Sequence, residues 1–124
     1  MLTHVIQIAG RVLLGLIFVV SGLGKVTNWS HSAAYMASKG FPWVPLFLAC
    51  ATAIEIICGL SLLLGYRFRQ GAMILFFFLI PTTLIFHNFW GHAGHDHQMQ
   101  MIQFLKNLSI MGGLLIVSTL PVQR

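Results

Sequence analysis

Residues 46–65 read LFLACATAIEIICGLSLLLG, twenty residues that are apolar almost throughout with one carboxylate, Glu55, in the middle. At 1.5 Å per residue, twenty helical residues span about 30 Å, the thickness of a bilayer's hydrocarbon core. An ionisable group at the centre of such a helix costs about 2.5–3.5 kcal/mol on insertion scales, so it faces protein or water and takes a partner. The stretch therefore predicts a membrane helix bundle packed around Glu55.

Composition agrees. The 124 residues are 57% hydrophobic and only 7% charged, against about 25% charged in soluble domains. The net charge of +5 comes from seven scattered Lys and Arg, with no basic face or motif that would serve nucleic acid. Basic residues at helix ends are instead the usual topology signal of membrane proteins. Cys50 and Cys58 fall in one helix, about 12 Å apart along its axis, too far for a disulfide. They read as two small buried hydrophobes.

Working outward, three more segments are long and apolar enough to span: about 5–24, 71–90 and 101–120. Together with 46–65 they predict an all-α, integral-membrane four-helix bundle in a single domain. Although the first segment resembles a signal peptide, Arg11 interrupts its apolar run and no cleavage motif follows, so it reads as a retained helix. Its Arg11, Gly15, Phe18, Gly22 and Lys25 recur at spacings of four and three and share one face. The two glycines on that face invite close approach of another helix. Lys25, at the far end, is expected to extend to the interface without a buried partner.

Residues 27–45, TNWSHSAAYMASKGFPWVP, change character. Ser30 or Ser32 is suited to cap a short helix running to Lys39, ended by Gly40 and Pro42. With Trp29, Tyr35 and Trp43, this reads as an interfacial helix between the first and second spans. In the third span, Pro81 predicts a kink, with Thr82 or Thr83 covering the carbonyl it leaves free. The positive-inside rule sets Arg67, Arg69 and Arg124 against Lys25, Lys39 and Asp96. Both termini are then expected in the cytoplasm.

Counting depth from a common outer plane puts Glu55 about 15 Å down, Arg11 about 21 Å, Lys106 about 8 Å and His87 about 5 Å. Arg11, Glu55, His87, Lys106 and Asn107 are thus the candidates for a polar pocket or ion pair, with Arg11 or Lys106 as the partner of Glu55. Two readings stand for this group. One is an ion pair that fixes helix packing; the other is an outward-opening pocket where Glu55 and His87 exchange protons with a quinone or small polar substrate. A separate candidate is GHAGHDHQMQ, residues 91–100, read as a polar loop. Its His92, His95, Asp96 and His97, with Met99 nearby, suit copper or zinc, although the spacing matches no closed zinc site.

The sequence resembles the DoxX family of small bacterial membrane proteins. The resemblance rests on GRVLLGLIFVVSGLGK (10–25), GFPWVP followed by AIEIICGLSLLLGYRFR (40–69), FHNFW (86–90) and QMQMIQFLKNLSIMGGLL (98–115), with GHAGHDH (91–97) as an insertion. It implies four helices in the bacterial inner membrane, and recurrent polar positions at Arg11, Lys25, Glu55, His87, Lys106 and Asn107. It also implies an accessory subunit of a quinone-linked redox or oxidative-stress complex, with a redox partner protein. The alternatives are a thiosulfate or thiol:quinone oxidoreductase in its own right and a solute- or metal-handling protein using the His/Met loop. The sequence carries no haem, flavin or iron–sulfur motif, so electron transfer would need a bound quinone or a partner subunit. Short helices with glycine-lined faces are also suited to form a homo-oligomer.

Overall fold

The computed structural model describes residues 1–122. It is helical, in the order α1 (Leu2–Thr27), α2 (Trp29–Ser38), α3 (Val44–Leu64), α4 (Phe68–Phe86), a 3-10 turn (Phe89–Gly91) and α5 (Gly94–Val117). Among the described residues, four helices are long and apolar enough to cross a membrane, and α2 lies between the first two of them. α1 packs along α3, α3 on α4, and α4 on α5, while α5 meets α1 at few positions.

The α1–α3 seam is built on glycine. A Cβ at Gly15 would lie 2.9 Å from the Gly59 carbonyl oxygen, and one at Gly59 would lie 2.8 Å from Val19 Cγ2. Neither contact is sterically possible, so the two helices sit closer than any side chain would permit. α3 and α4 meet through Gly71, which faces Ser61 and the Cys58 carbonyl. Leu62, Leu75 and Leu114 are fully buried where α3, α4 and α5 converge.

Several boundaries differ from the sequence expectation. α2 starts at Trp29 after a single intervening residue, Asn28, and neither Ser30 nor Ser32 caps it. Gly40, with φ +84°, ends the segment as expected. α4 stops at Phe86, four residues early, because the chain turns back through Phe89, whose ring packs edge-on against His97 and Phe104 of α5. α5 starts seven residues early, so His95, Asp96 and His97 lie in its first turn rather than in a loop. No proline opposes helix there, and Asp96 complements the positive end of the helix dipole. At the Pro81 position, the Thr82 hydroxyl donates to the Phe78 carbonyl at 2.8 Å, not to the carbonyl of Phe77 that the proline leaves free. Both cysteines are free, but only Cys58 is buried; Cys50 is exposed.

Candidate functional site

Glu55 is 4% exposed, and its partner is Lys25, not Arg11 or Lys106. Lys25 Nζ lies 2.6 Å from Glu55 Oε1 and also donates to the Ser21 hydroxyl at 3.0 Å. This is the one salt bridge among the described residues. The expectation that Lys25 reaches the interface failed because the helices do not start in a common plane. Gly22 stands beside Glu55, where its Cβ would be 3.4 Å from that of Glu55. From Gly22, α1 continues only to Thr27, about 7.5 Å, whereas α3 rises from Glu55 to Val44, about 16.5 Å. α1 therefore ends about 9 Å below α3. The step is occupied by α2, and Lys25 is left one turn above Glu55.

A cavity of about 630 Å³ fills this recess. Its polar lining comprises Lys25, Glu55 and Ser21, with His31, Ser32 and Tyr35 from α2, Thr82 of α4, His87 after α4, and Gln103 and Asn107 from α5; the rest of its wall is mostly apolar. Stacked rings form part of its wall. Phe86 is stacked between Tyr35 and Phe41 at 5.5 and 5.6 Å, and Phe41 meets Phe47 at 5.6 Å. The Tyr35 hydroxyl donates to the Phe86 carbonyl at 3.4 Å, tying α2 to the end of α4. Burial raises the pKa of this phenol above its usual value, which keeps it a neutral donor.

Of the residues expected at the site, Glu55, His87 and Asn107 line this cavity; Arg11 and Lys106 do not. His87 Nδ1 is 2.9 Å from Gln100 Oε1, and Asn107 Nδ2 donates to Thr83 Oγ1 at 3.1 Å, so both are held by α4–α5 contacts. Lys106 is exposed on α5. Arg11 is buried inside the bundle, but against a helix end rather than an acid. Its Nε donates to the Leu62 carbonyl at 2.7 Å, and its guanidinium stacks 5.0 Å above the Phe68 ring. A cation at the negative end of α3 is stabilised by unsatisfied carbonyls and the helix dipole. What sequence reasoning missed was Lys25 as the partner of Glu55, although the resemblance placed it among the recurrent polar positions and it completed the Arg11–Gly15–Phe18–Gly22 stripe that proves to be the buried face of α1.

The histidine segment is arranged differently. His97 Nδ1 lies 2.9 Å from the Phe89 carbonyl, and His92 Nδ1 lies 3.2 Å from that of Asn88. His95 and Asp96 are exposed. Among the described residues, no three His, Cys, Asp or Glu side chains converge as a metal-binding group would require.

Four apolar spans, with one ion pair lining a partly open cavity, define a small polytopic membrane protein. The chain belongs to the DoxX family, whose sequence profile matches residues 6–88, from α1 to the residue after His87. It is 31% identical to inner membrane protein YphA of Escherichia coli K12, over 92% of this chain and 81% of that protein. It is 28% identical to inner membrane protein YqjF of the same organism, over 90% and 80%. No solved structure is detectably similar. The histidine segment and α5 lie beyond the profile match.

Proposed function

We propose that this protein is a bacterial inner-membrane accessory subunit that holds a lipid-soluble redox carrier of the quinone class for a partner redox protein. The observation that carries the reading is the cavity. Its volume lies within the 300–1,000 Å³ range of small-molecule sites, with apolar walls and a few convergent polar groups. The buried Lys25–Glu55 pair marks the head of that site, since ionisable groups inside a membrane protein are costly and are kept where they act. Names of the two relatives support the inner membrane as the location. In this reading both termini face the cytoplasm. Lys25 is neutralised by Glu55, so Arg67 and Arg69 at the opposite end are set against Lys39 alone.

The test is binding and turnover measured together on purified protein in nanodiscs, with a short-chain ubiquinone and thiosulfate or a thiol as donor. Saturable binding without turnover is the expected result, weakened in a folded Glu55→Gln variant. Turnover that collapses in Glu55→Gln would make the protein an oxidoreductase in its own right. Absence of binding would overturn the reading.

A further inference from the structure

We propose that the cavity is reached from within the bilayer through a gap between α3 and α4, and that its occupant is an uncharged amphiphile with carbonyl or hydroxyl groups on a compact head. The proposal rests on the reading of the cavity as a ligand site. α3 and α4 are in close contact at one end, where Gly71 meets Ser61 and Cys58. Toward the other end, Phe47 and Cys50 of α3 and Pro81 of α4 line the cavity and are also exposed. Ile17 of α1 and His31 and Tyr35 of α2 also line the cavity and are exposed, on its α1 and α2 sides; between α3 and α4 the exposed lining residues stand on both helices above their close contact, and there we place the opening. Cys50 lies six residues into α3, about 9 Å along its axis, and Pro81 lies well inside the span Phe68–Gly91, so the opening is at membrane depth. Its rim is apolar. A rim of that kind at that depth admits a molecule dissolved in lipid rather than one arriving from water.

The chemistry of the chamber's head decides what the molecule carries. Lys25 and Glu55 are closed on one another at 2.6 Å, so together they present no net charge. An anionic headgroup would need a free cation, and Arg11, engaged with the Leu62 carbonyl, is not part of the lining. The other polar groups are the hydroxyls of Ser21, Ser32, Tyr35 and Thr82, the Gln103 and Asn107 amides and the His31 and His87 imidazoles. These suit carbonyl and hydroxyl oxygens by neutral hydrogen bonding. The apolar remainder of the wall takes a hydrocarbon tail.

Cys50 is a native reporter of the opening. In a Cys58→Ala background in proteoliposomes, its alkylation by N-ethylmaleimide would be followed with and without a short-chain ubiquinone, whose fully substituted ring does not itself alkylate thiols. Protection scales as 1 + [L]/Kd, so labelling should slow about tenfold at about ten times Kd. A thiol placed on the lipid-facing side of the same helix by Ile57→Cys, in a Cys50→Ala/Cys58→Ala background, should label at an unchanged rate. Cys50→Trp, which fills the gap, should slow ubiquinone association about tenfold without lowering the melting temperature. Binding by the wild type with neither Cys50 protection nor an effect of Cys50→Trp would overturn the opening alone. Stronger protection by oleate than by ubiquinone would overturn the uncharged head. Absence of any ubiquinone binding would overturn the underlying reading as well.

Discussion

Lys25 reaches Glu55 across the α1–α3 seam, and the two partners are unequally placed: the side chain of Lys25 is 28% exposed and that of Glu55 is 6% exposed. The asymmetry makes the consequences of breaking the pair unequal. Without Glu55, the lysine keeps the Ser21 hydroxyl and can swing toward the aqueous end of α1. Without Lys25, the carboxylate is stranded. Removing one partner of a buried pair costs about 3–5 kcal/mol, and the exposure of Lys25 places this case near the low end. Lys25→Ala should therefore lower the melting temperature in detergent more than Glu55→Ala does, and Lys25→Met/Glu55→Leu should recover most of the loss. Equal losses for the two single variants would contradict the asymmetry, and losses that simply add in the double variant would show that the pair does not anchor the seam.

Glu55→Gln separates the charge from the polar contact. The amide keeps a polar atom facing Lys25 Nζ where alanine leaves none, so this variant should melt above Glu55→Ala. Thermal unfolding of the two variants side by side checks it.

Glycine substitutions should sort by what the new methyl meets. At Gly15 it meets the backbone oxygen of Gly59 at 2.9 Å, which cannot move aside without separating α1 from α3. At Gly112 nothing lies within 4 Å. Gly15→Ala should cost about 1–3 kcal/mol, as overpacking does, whereas Gly112→Ala should be neutral or slightly stabilising through helix propensity. Similar melting temperatures for both would contradict the close seam.

The contrast between these two glycines bears on what the sequence could and could not disclose. The spans were legible because long apolar runs have one physical solution in lipid, and the α1 stripe was legible from its spacing. The partner of Glu55 was not. Depth counted from helix ends assumes that all ends lie in one plane, and α1 falls short of α3. Nothing in the local sequence records that step; it follows from where Gly22 docks on α3. The recess beneath α2, and hence the cavity, follows from the same offset. The histidine segment was misread for another reason. Polarity marks exposure to water, not absence of helix, and 94–100 is largely exposed yet helical, with only His97 and Gln100 half-buried. α5, at 24 residues or about 36 Å, is long enough to begin outside the hydrocarbon.

Arg11 and Gly65 form a second dependent pair. Gly65 has φ +77°, and a Cβ there would also lie 2.7 Å from Arg11 Nη2. Gly65→Ala should thus be more costly than Gly40→Ala, where φ is +84° but nothing lies within 4 Å. Arg11→Lys should destabilise despite keeping the charge, because a lysine cannot both donate from the Nε position to Leu62 and lie flat on Phe68. Melting temperatures of Gly65→Ala, Gly40→Ala and Arg11→Lys measure both effects. A silent Arg11→Lys would reduce Arg11 to a point charge at the end of α3.

The proposed orientation can be read from the first turn of α5. His95 is exposed there, at the α2 end of the bundle, while Arg67 and Arg69 lie at the opposite end. With both termini cytoplasmic, a thiol introduced by His95→Cys in a Cys50→Ala/Cys58→Ala background should react with a membrane-impermeant maleimide added to spheroplasts. One introduced by Gln70→Cys, beside Arg69 and also exposed, should react only after lysis. The reverse pattern would invert the protein in the membrane. It would place the Lys25–Glu55 end toward the cytoplasm and require any redox partner to dock from that side.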